Sequence, residues 1–240
     1  MWITIRTRAS RRRWRCKRVS GGRLEGLSWR PAEGKPVGAD SLRLLAGVGI
    51  AGDLHADALS PRQLLLASAS TYGDLGLPAQ ALRENLLLDL DTSHLASGTV
   101  LQIGEQVRLR VMFQCEACGQ LDAIQPRLAA RIGARRGVLA RVLAGGTVHQ
   151  GDRVLDLGVV EQRWPDDWRE RVRRVLDAVP EDAVIEYRQL ARLAGIQSSY
   201  CRAFPRLVAK LGDGYAAKAV SAQSAVALPR WEGEGLFDLY

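Results

Sequence analysis

Short apolar runs broken by Gly, Asp and Pro occupy residues 21 to about 157, a rhythm of strands and turns with few helices. Gln63-Leu64-Leu65-Leu66-Ala67, Asn85-Leu86-Leu87-Leu88 and Val138-Leu139-Ala140-Arg141-Val142-Leu143 are the main runs. The clearest strand sets Val107, Leu109, Val111 and Phe113 against Arg108, Arg110 and Met112, an alternation with a period of two. Gly145-Gly146, between Arg141-Val142-Leu143 and Thr147-Val148-His149, predicts a hairpin. Short helices are predicted after Ser68 and after Gly119. So many short strands with turn punctuation predict a β-rich barrel.

The period changes after Gly158. Pro165-Asp166-Asp167 opens a helix, because proline and acids suit the first turn. Trp168, Val172, Val175, Leu176 and Val179 give it an apolar stripe, and Pro180 stops it. A second helix is predicted over 187–194, ending at Gly195. A third, capped by Ser198 or Ser199, ends before Gly212, with Pro205 bending or shortening it. Short helix, tight turn and longer helix read as a helix-turn-helix. The chain therefore divides into a basic segment 1–20, a barrel 21–158 and a helical domain 159–240.

Charge matters only once it is located. The net charge is +8, yet residues 1–20 hold eight Arg or Lys and no acid, leaving 26 residues of each sign after them. That segment reads as a disordered tail, or as the product of a start codon assigned too early. No apolar run reaches the ~20 residues that span a bilayer, and the arginine-rich opening is not a secretory signal. No membrane association is expected. The expected compartment is the cytoplasm, where Cys16, Cys115, Cys118 and Cys201 are reduced thiols.

The chemistry concentrates in Phe113-Gln114-Cys115-Glu116-Ala117-Cys118, at the end of the alternating strand. No zinc is expected, because no second Cys pair exists and His55, His94 and His149 are isolated. A thioredoxin-like dithiol lacks its α/β setting here. Two readings stay open on spacing: a pair of buried small hydrophobes, or working thiols for sulfur or a soft metal.

Around that pair stand Gly22-Arg23-Leu24-Glu25-Gly26, Gly52-Asp53-Leu54-His55, Arg62-Gln63, Arg83-Glu84-Asn85-Leu86, Arg135-Arg136-Gly137-Val138 and Gly151-Asp152-Arg153-Val154. In this order they resemble the molybdenum cofactor sulfurase C-terminal (MOSC) domain family over roughly residues 22–157. The resemblance implies a β-barrel with one functional cysteine, which carries sulfur or binds the molybdenum of a pterin cofactor (molybdopterin). Cys115 looks like that cysteine and the molybdenum ligand, with Cys118 as a second thiol that resolves a persulfide. A sulfur donor such as a cysteine desulfurase is the implied partner. Arg62, Arg83, Arg135 and Arg136 suit a pterin phosphate, since guanidinium forks match phosphate oxygens. Surface charge or internal ion pairing is their other reading. His55 is a ligand, a base or a hydrogen-bonded turn residue, and Asn85 satisfies backbone groups beside the site.

Val184-Ile185-Glu186-Tyr187-Arg188-Gln189-Leu190-Ala191-Arg192-Leu193-Ala194-Gly195 and Ser199-Tyr200-Cys201-Arg202-Ala203 resemble the winged-helix DNA-binding half of alkylguanine alkyltransferases and alkyltransferase-like proteins. The likeness covers about residues 165–212 and makes Arg202 the counterpart of an arginine that helps extrude a base. The family's Pro-Cys-His-Arg motif is missing and no cysteine follows Cys201, so alkyl transfer is excluded. The stretch from Tyr187 to Leu211 holds five basic residues (Arg188, Arg192, Arg202, Arg206 and Lys210) and no acidic one, as expected for DNA or RNA contacts that include Tyr187 and Tyr200.

The expected architecture is thus a MOSC-type β-rich barrel followed by a small α-helical winged helix-turn-helix domain. Three functions follow from it: sulfur transfer or molybdenum-cofactor binding, a molybdenum-dependent reductase or modification enzyme acting on a nucleobase, and a non-enzymatic nucleic-acid sensor.

Overall fold

The computed structural model of the protein describes residues 21–32 and 35–238. The basic segment 1–20, with Cys16, lies outside them. The strands of the first half are β1 (Gly21–Trp29), β2 (Val37–Gly38), β3 (Ser41–Leu45), β4 (Gly49–Ile50), β5 (Leu64–Ser68), β6 (Leu86–Leu88), β7 (Thr99–Ile103), β8 (Val107–Gln114), β9 (Val138–Ala144), β10 (Gly146–His149) and β11 (Arg153–Val159). In the order β11-β7-β8-β9-β5-β6-β1 they close on themselves through β11–β1, giving a seven-stranded barrel with β2 on its rim. All these pairings are antiparallel except β5–β6. Closure leaves the barrel without a free edge, and its interior is filled by Leu24, Leu64, Leu66, Leu86, Leu101, Leu109, Val111, Val138 and Ala140.

One side of the barrel is covered on its outer face too, which explains the unbroken apolar runs. Leu64 and Leu66 point inward while Leu65 joins a second core and Ala67 a third. The second core unites Leu65, Met112, Phe113, Cys115 and Leu139 of the barrel with the C-terminal helices. The third sits under α1 (Ala69–Leu75), a 3₁₀ turn over Gly119–Ala123 and α2 (Leu128–Ile132). Both short helices expected after Ser68 and Gly119 are therefore present, the second as a 3₁₀ turn.

Gly145-Gly146 is not a hairpin turn. β10 leaves β9 and pairs with β3, and Gly145 lies so close to Leu44 that a Cβ would stand 2.6 Å from its carbonyl oxygen. The glycines serve a crossing between two sheets.

Helix α3 (Trp168–Ala178) begins one residue after Asp167, whose carboxylate accepts from the Arg169 and Glu170 N–H groups. Strand β12 (Ile185–Glu186), helix α4 (Tyr187–Ala194), helix α5 (Phe204–Leu211), helix α6 (Asp213–Lys218) and strand β13 (Ala219–Val220) follow. α4 ends at Gly195 in the left-handed conformation, as its sequence predicts. The third expected helix is split: a 3₁₀ turn over Ser198–Ala203 leads into α5, and Pro205 stands in the first turn of α5, where its missing N–H costs nothing. The strands described in this half, β12 and β13, pair in parallel, and no hairpin wing is present among the described residues.

Candidate functional site

The thiol loop leaves β8 on the covered side of the barrel. Cys115 is held by a bond from its N–H to the Gly137 carbonyl (2.8 Å) and is only 7% exposed. Cys118 caps the 3₁₀ turn Gly119–Ala123 and is half-buried, the more open of the two thiols. Its carbonyl accepts from the Leu121 N–H at 3.0 Å. Both cysteines are free.

Glu116, between them, accepts from Arg171 Nη2 at 3.2 Å. Arg171 rises from α3 and is 1% exposed. Its guanidinium also donates to the carbonyls of Ala194 and Asp166, and it lies 3.8 Å over the Phe113 ring. Burial lowers its pKa, with Glu116 opposing that shift.

A cationic cluster lies beside the N-terminal ends of β5 and β6. At its base Asp53, buried, accepts from the Arg30 N–H (2.8 Å), the His55 N–H (2.7 Å) and Asn85 Nδ2 (3.3 Å). Asn85 also donates to the Ser28 carbonyl and accepts from the Leu65 N–H, so it ties β1, β5 and β6 together. Arg30 Nη1 donates to His55 Nε2 at 2.7 Å, while Nη2 donates to the Arg83 carbonyl. Arg83 adopts a left-handed backbone (φ 55°) and carries its side chain outward. Arg136 Nη1 donates to the Leu82 carbonyl at 2.6 Å.

These groups act on one another electrostatically. Burial lowers the pKa of Arg30, with Arg83 and Arg136 adding to the effect. Burial likewise lowers that of His55, helped by Arg30, Arg62 and Arg83. Arg30 Nε and Arg136 Nε are buried without a hydrogen-bond partner. The buried carboxylates of Asp53 and Glu84 offset part of this charge, and the excess of cations that remains favours an anion.

Arg62 is half-buried and donates to the Gly195 carbonyl at 3.1 Å, linking the cluster to the end of α4. Because Arg62 presses on both His55 and Arg171, the cluster and the loop-clamping arginine are electrical neighbours. Arg135 belongs elsewhere: it donates to the Arg131 carbonyl and stands 4.0 Å from Asp74. The sequence expectation thus brings together His55, Arg62, Arg83, Asn85 and Arg136, and leaves out Arg135.

Arg30 and Arg171 escaped the sequence reading. Arg30 follows β1, just before Pro31, and belongs to no motif. Arg171 had a visible signal, since it falls inside the apolar stripe of α3 between Trp168 and Val175. A charge at a stripe position must find buried partners.

In the helical half Arg188, Arg202 and Arg206 are exposed, and Tyr200 is 55% exposed. Tyr187 is half-buried against Phe204, ring centroids 6.3 Å apart. Arg192 is engaged, as a two-pronged pair with Asp57 of the barrel at 2.7 and 2.8 Å. The Cys201 thiol is pushed up by burial and donates to the Tyr187 carbonyl at 3.6 Å. A groove of about 440 Å3 runs between the halves, lined by Arg62, Glu186, Arg188, Gln189 and Glu232 among others. Among the described residues no group of three or more His, Cys, Asp or Glu is placed to hold a metal ion, and no helix is long and apolar enough to cross a membrane.

Residues 56–155 match the sequence profile of the family described as MOSC domain. The YuaD protein of Bacillus subtilis has a similar structure, with a TM-score of 0.51, 20% identity, and cover of 58% of this chain and 97% of YuaD. YiiM of Escherichia coli is similar with a TM-score of 0.47 and 20% identity, covering 80% of this chain and 96% of YiiM. No curated protein matches the chain. Residues 56–155 thus resemble a MOSC domain, and the YuaD likeness is one of fold alone; in this chain the closed barrel is followed by helices.

Proposed function

We propose that the barrel works as a thiol site for sulfur in molybdenum-cofactor chemistry, with Cys118 meeting the donor and Cys115 acting behind it. The carrying observation is the meeting of two free thiols, one half-open and one buried, with a cluster in which arginines outnumber the carboxylates Asp53 and Glu84 on the same side of one barrel. Exposure exchanges the roles expected from sequence, because a donor reaches the half-buried Cys118 before Cys115. The Cys118 thiolate attacks the terminal sulfur of a persulfide donor, such as a loaded cysteine desulfurase; a new S–S bond forms and the donor leaves as its thiol. The Cys115 thiolate then attacks the Cys118 sulfur, forming a Cys115–Cys118 disulfide and releasing the terminal sulfur as hydrosulfide. A dithiol reductant returns the pair to thiols.

The residues fit a molybdopterin as recipient or resident group. Thiol sulfur is a soft donor suited to molybdenum, and the unpartnered guanidinium nitrogens of Arg30 and Arg136 favour an anion such as a phosphate. Arg62 and Arg83 complete that cradle, and Cys115 or Cys118 would hold the metal. Bound there, the cofactor would supply redox chemistry.

Incubating the purified protein with a persulfide donor and reading peptide masses tests the carrier. Hydrosulfide release with a Cys115–Cys118 disulfide is expected in the wild-type protein, one added sulfur retained on Cys118 in Cys115→Ser, and neither in Cys118→Ser. Unlabelled thiols in the wild-type protein would sink it, and stoichiometric molybdenum in protein from its native host would replace it with a metal enzyme.

A second reading rests on the exposed Arg188, Tyr200, Arg202 and Arg206: the C-terminal helices bind DNA or RNA as a winged helix without alkyltransferase chemistry. Joined to the barrel, that module would bring a nucleobase to the thiol site for modification, or simply sense nucleic acid. The affinity of Arg202→Ala for duplex and single strands tests it.

A further inference from the structure

Arg171 stands where four parts of the molecule meet. Its Nε donates to the last carbonyl of α4, that of Ala194, at 2.9 Å, and Nη1 donates to the Asp166 carbonyl at 2.6 Å. Its plane lies on Phe113 and Nη2 holds Glu116 in the middle of the thiol loop. Residue 114 is held from the same side, for the Gln114 N–H donates to the Asp166 carboxylate at 3.0 Å. Both neighbours of Cys115 are thus tied to the segment that starts α3, and Cys115 itself is packed into the core of the helical half.

The geometry points to Arg171 as a positioning residue through which the C-terminal half keeps Cys115 shut, and we propose that releasing its bond to Glu116 admits that thiol to reaction. The inference rests on the thiol reading above and adds its control. Cys118 lies beyond the clamp and stays open in either state. Cys115 needs the loop to rise by local opening, whose free energy includes the Arg171–Glu116 bond. α4 supplies the lever. Ala194 touches Arg171, Arg62 donates to Gly195, and a Cβ on Gly195 would stand 2.8 Å from Phe113 Cζ. A ligand that shifts α4 through Arg188 or the interdomain groove therefore acts on Cys115.

Glu116→Ala is the test, because Glu116 is 61% exposed and its loss leaves the core filled. The full chain is treated with iodoacetamide and the rates at Cys115 and Cys118 are read by peptide mass spectrometry. In the wild-type protein Cys118 labels well ahead of Cys115. In Glu116→Ala the Cys115 rate is expected to rise about two- to fivefold, the range for one ion pair with an exposed partner. The Cys118 rate is expected to stay near wild type, and the melting temperature to fall by no more than about 4 °C. Glu116→Gln keeps an oxygen acceptor for the guanidinium and is expected to fall between the two. Equal Cys115 rates in all three proteins overturn the assignment, as does an equal rise at both thiols, which marks general loosening. Labelling needs neither sulfur nor molybdenum, so this test can fail while the sulfur carrier stands, and the reverse.

Discussion

A guanidinium has protons to give and no lone pair to receive one, so His55 Nε2 must accept the bond from Arg30. The ring is then neutral with its proton on Nδ1, in agreement with a pKa lowered by burial and by Arg30. Unfolding frees the ring to titrate near its ordinary 6.5, so between the folded value and 6.5 the unfolded chain holds more protons. The stability tied to neutral His55 is present in full above that window and is lost as pH falls through it. Melting temperature is therefore expected to drop on acidification from about pH 7, and His55→Gln, which accepts but does not titrate, to lose that part of the drop. Identical profiles for the two proteins would refute the neutral tautomer. An anion bound among the arginines would raise the His55 pKa, so inorganic phosphate should shift its NMR titration upward.

Among the elements, α4 shows how a C-cap can do two jobs. Gly76 and Gly195 both end helices in the left-handed conformation, with φ 61° and 67°. A Cβ on Gly76 meets open space, while one on Gly195 stands 2.7 Å from Pro61 and 2.8 Å from Phe113. Gly76→Ala is expected to cost about 1 kcal/mol, the left-handed strain alone. Gly195→Ala adds a close approach between α4 and the barrel and is expected to cost roughly 3 kcal/mol. Denaturant melts decide it, and equal losses would mean that α4 does not press on the barrel. Helix ends of this kind were legible from Gly195 itself, as was α3 from its stripe, though Pro165-Asp166-Asp167 precede its first turn instead of forming it. The barrel was legible from the alternation of β8 and from turn residues. Of the candidate site, motifs pointed to Cys115, Cys118, Arg62 and Arg83. What the sequence hid was pairing at a distance. Gly145-Gly146 reads as a hairpin because nothing local reveals that β3, a hundred residues earlier, waits as its partner. Arg135 and Arg136 look alike as neighbours, yet a 3₁₀ turn sends one toward Asp74 and buries the other beside Leu82.

Over the whole molecule the charge of +8 belongs to residues 1–20, and the rest is formally neutral. Nucleic-acid binding by the folded part must therefore come from a local patch. Arg202, Arg206 and Lys210 recur four residues apart and all are exposed, while Phe204 and Val208 face the core and Arg188 stands on α4. Arg192 adds nothing to that patch, because Asp57 already neutralises it. Four available cations set a ceiling of about four phosphates, so a chain starting at residue 21 should bind duplex DNA with a log–log salt slope no steeper than about −3.6. Removing one phosphate contact with Arg202→Ala is expected to weaken binding and make the slope shallower by about 0.9. Adding back residues 1–20 should steepen it, because eight more cations join without any change in the patch. Binding titrations from low to physiological salt, with and without the first twenty residues, separate the two sources. If the shorter chain does not bind, or Arg202→Ala keeps both affinity and slope, the helices serve to hold the thiol loop and the patch is a solvated face. If the slopes behave as expected, the helical half reads phosphate through Arg188, Arg202, Arg206 and Lys210.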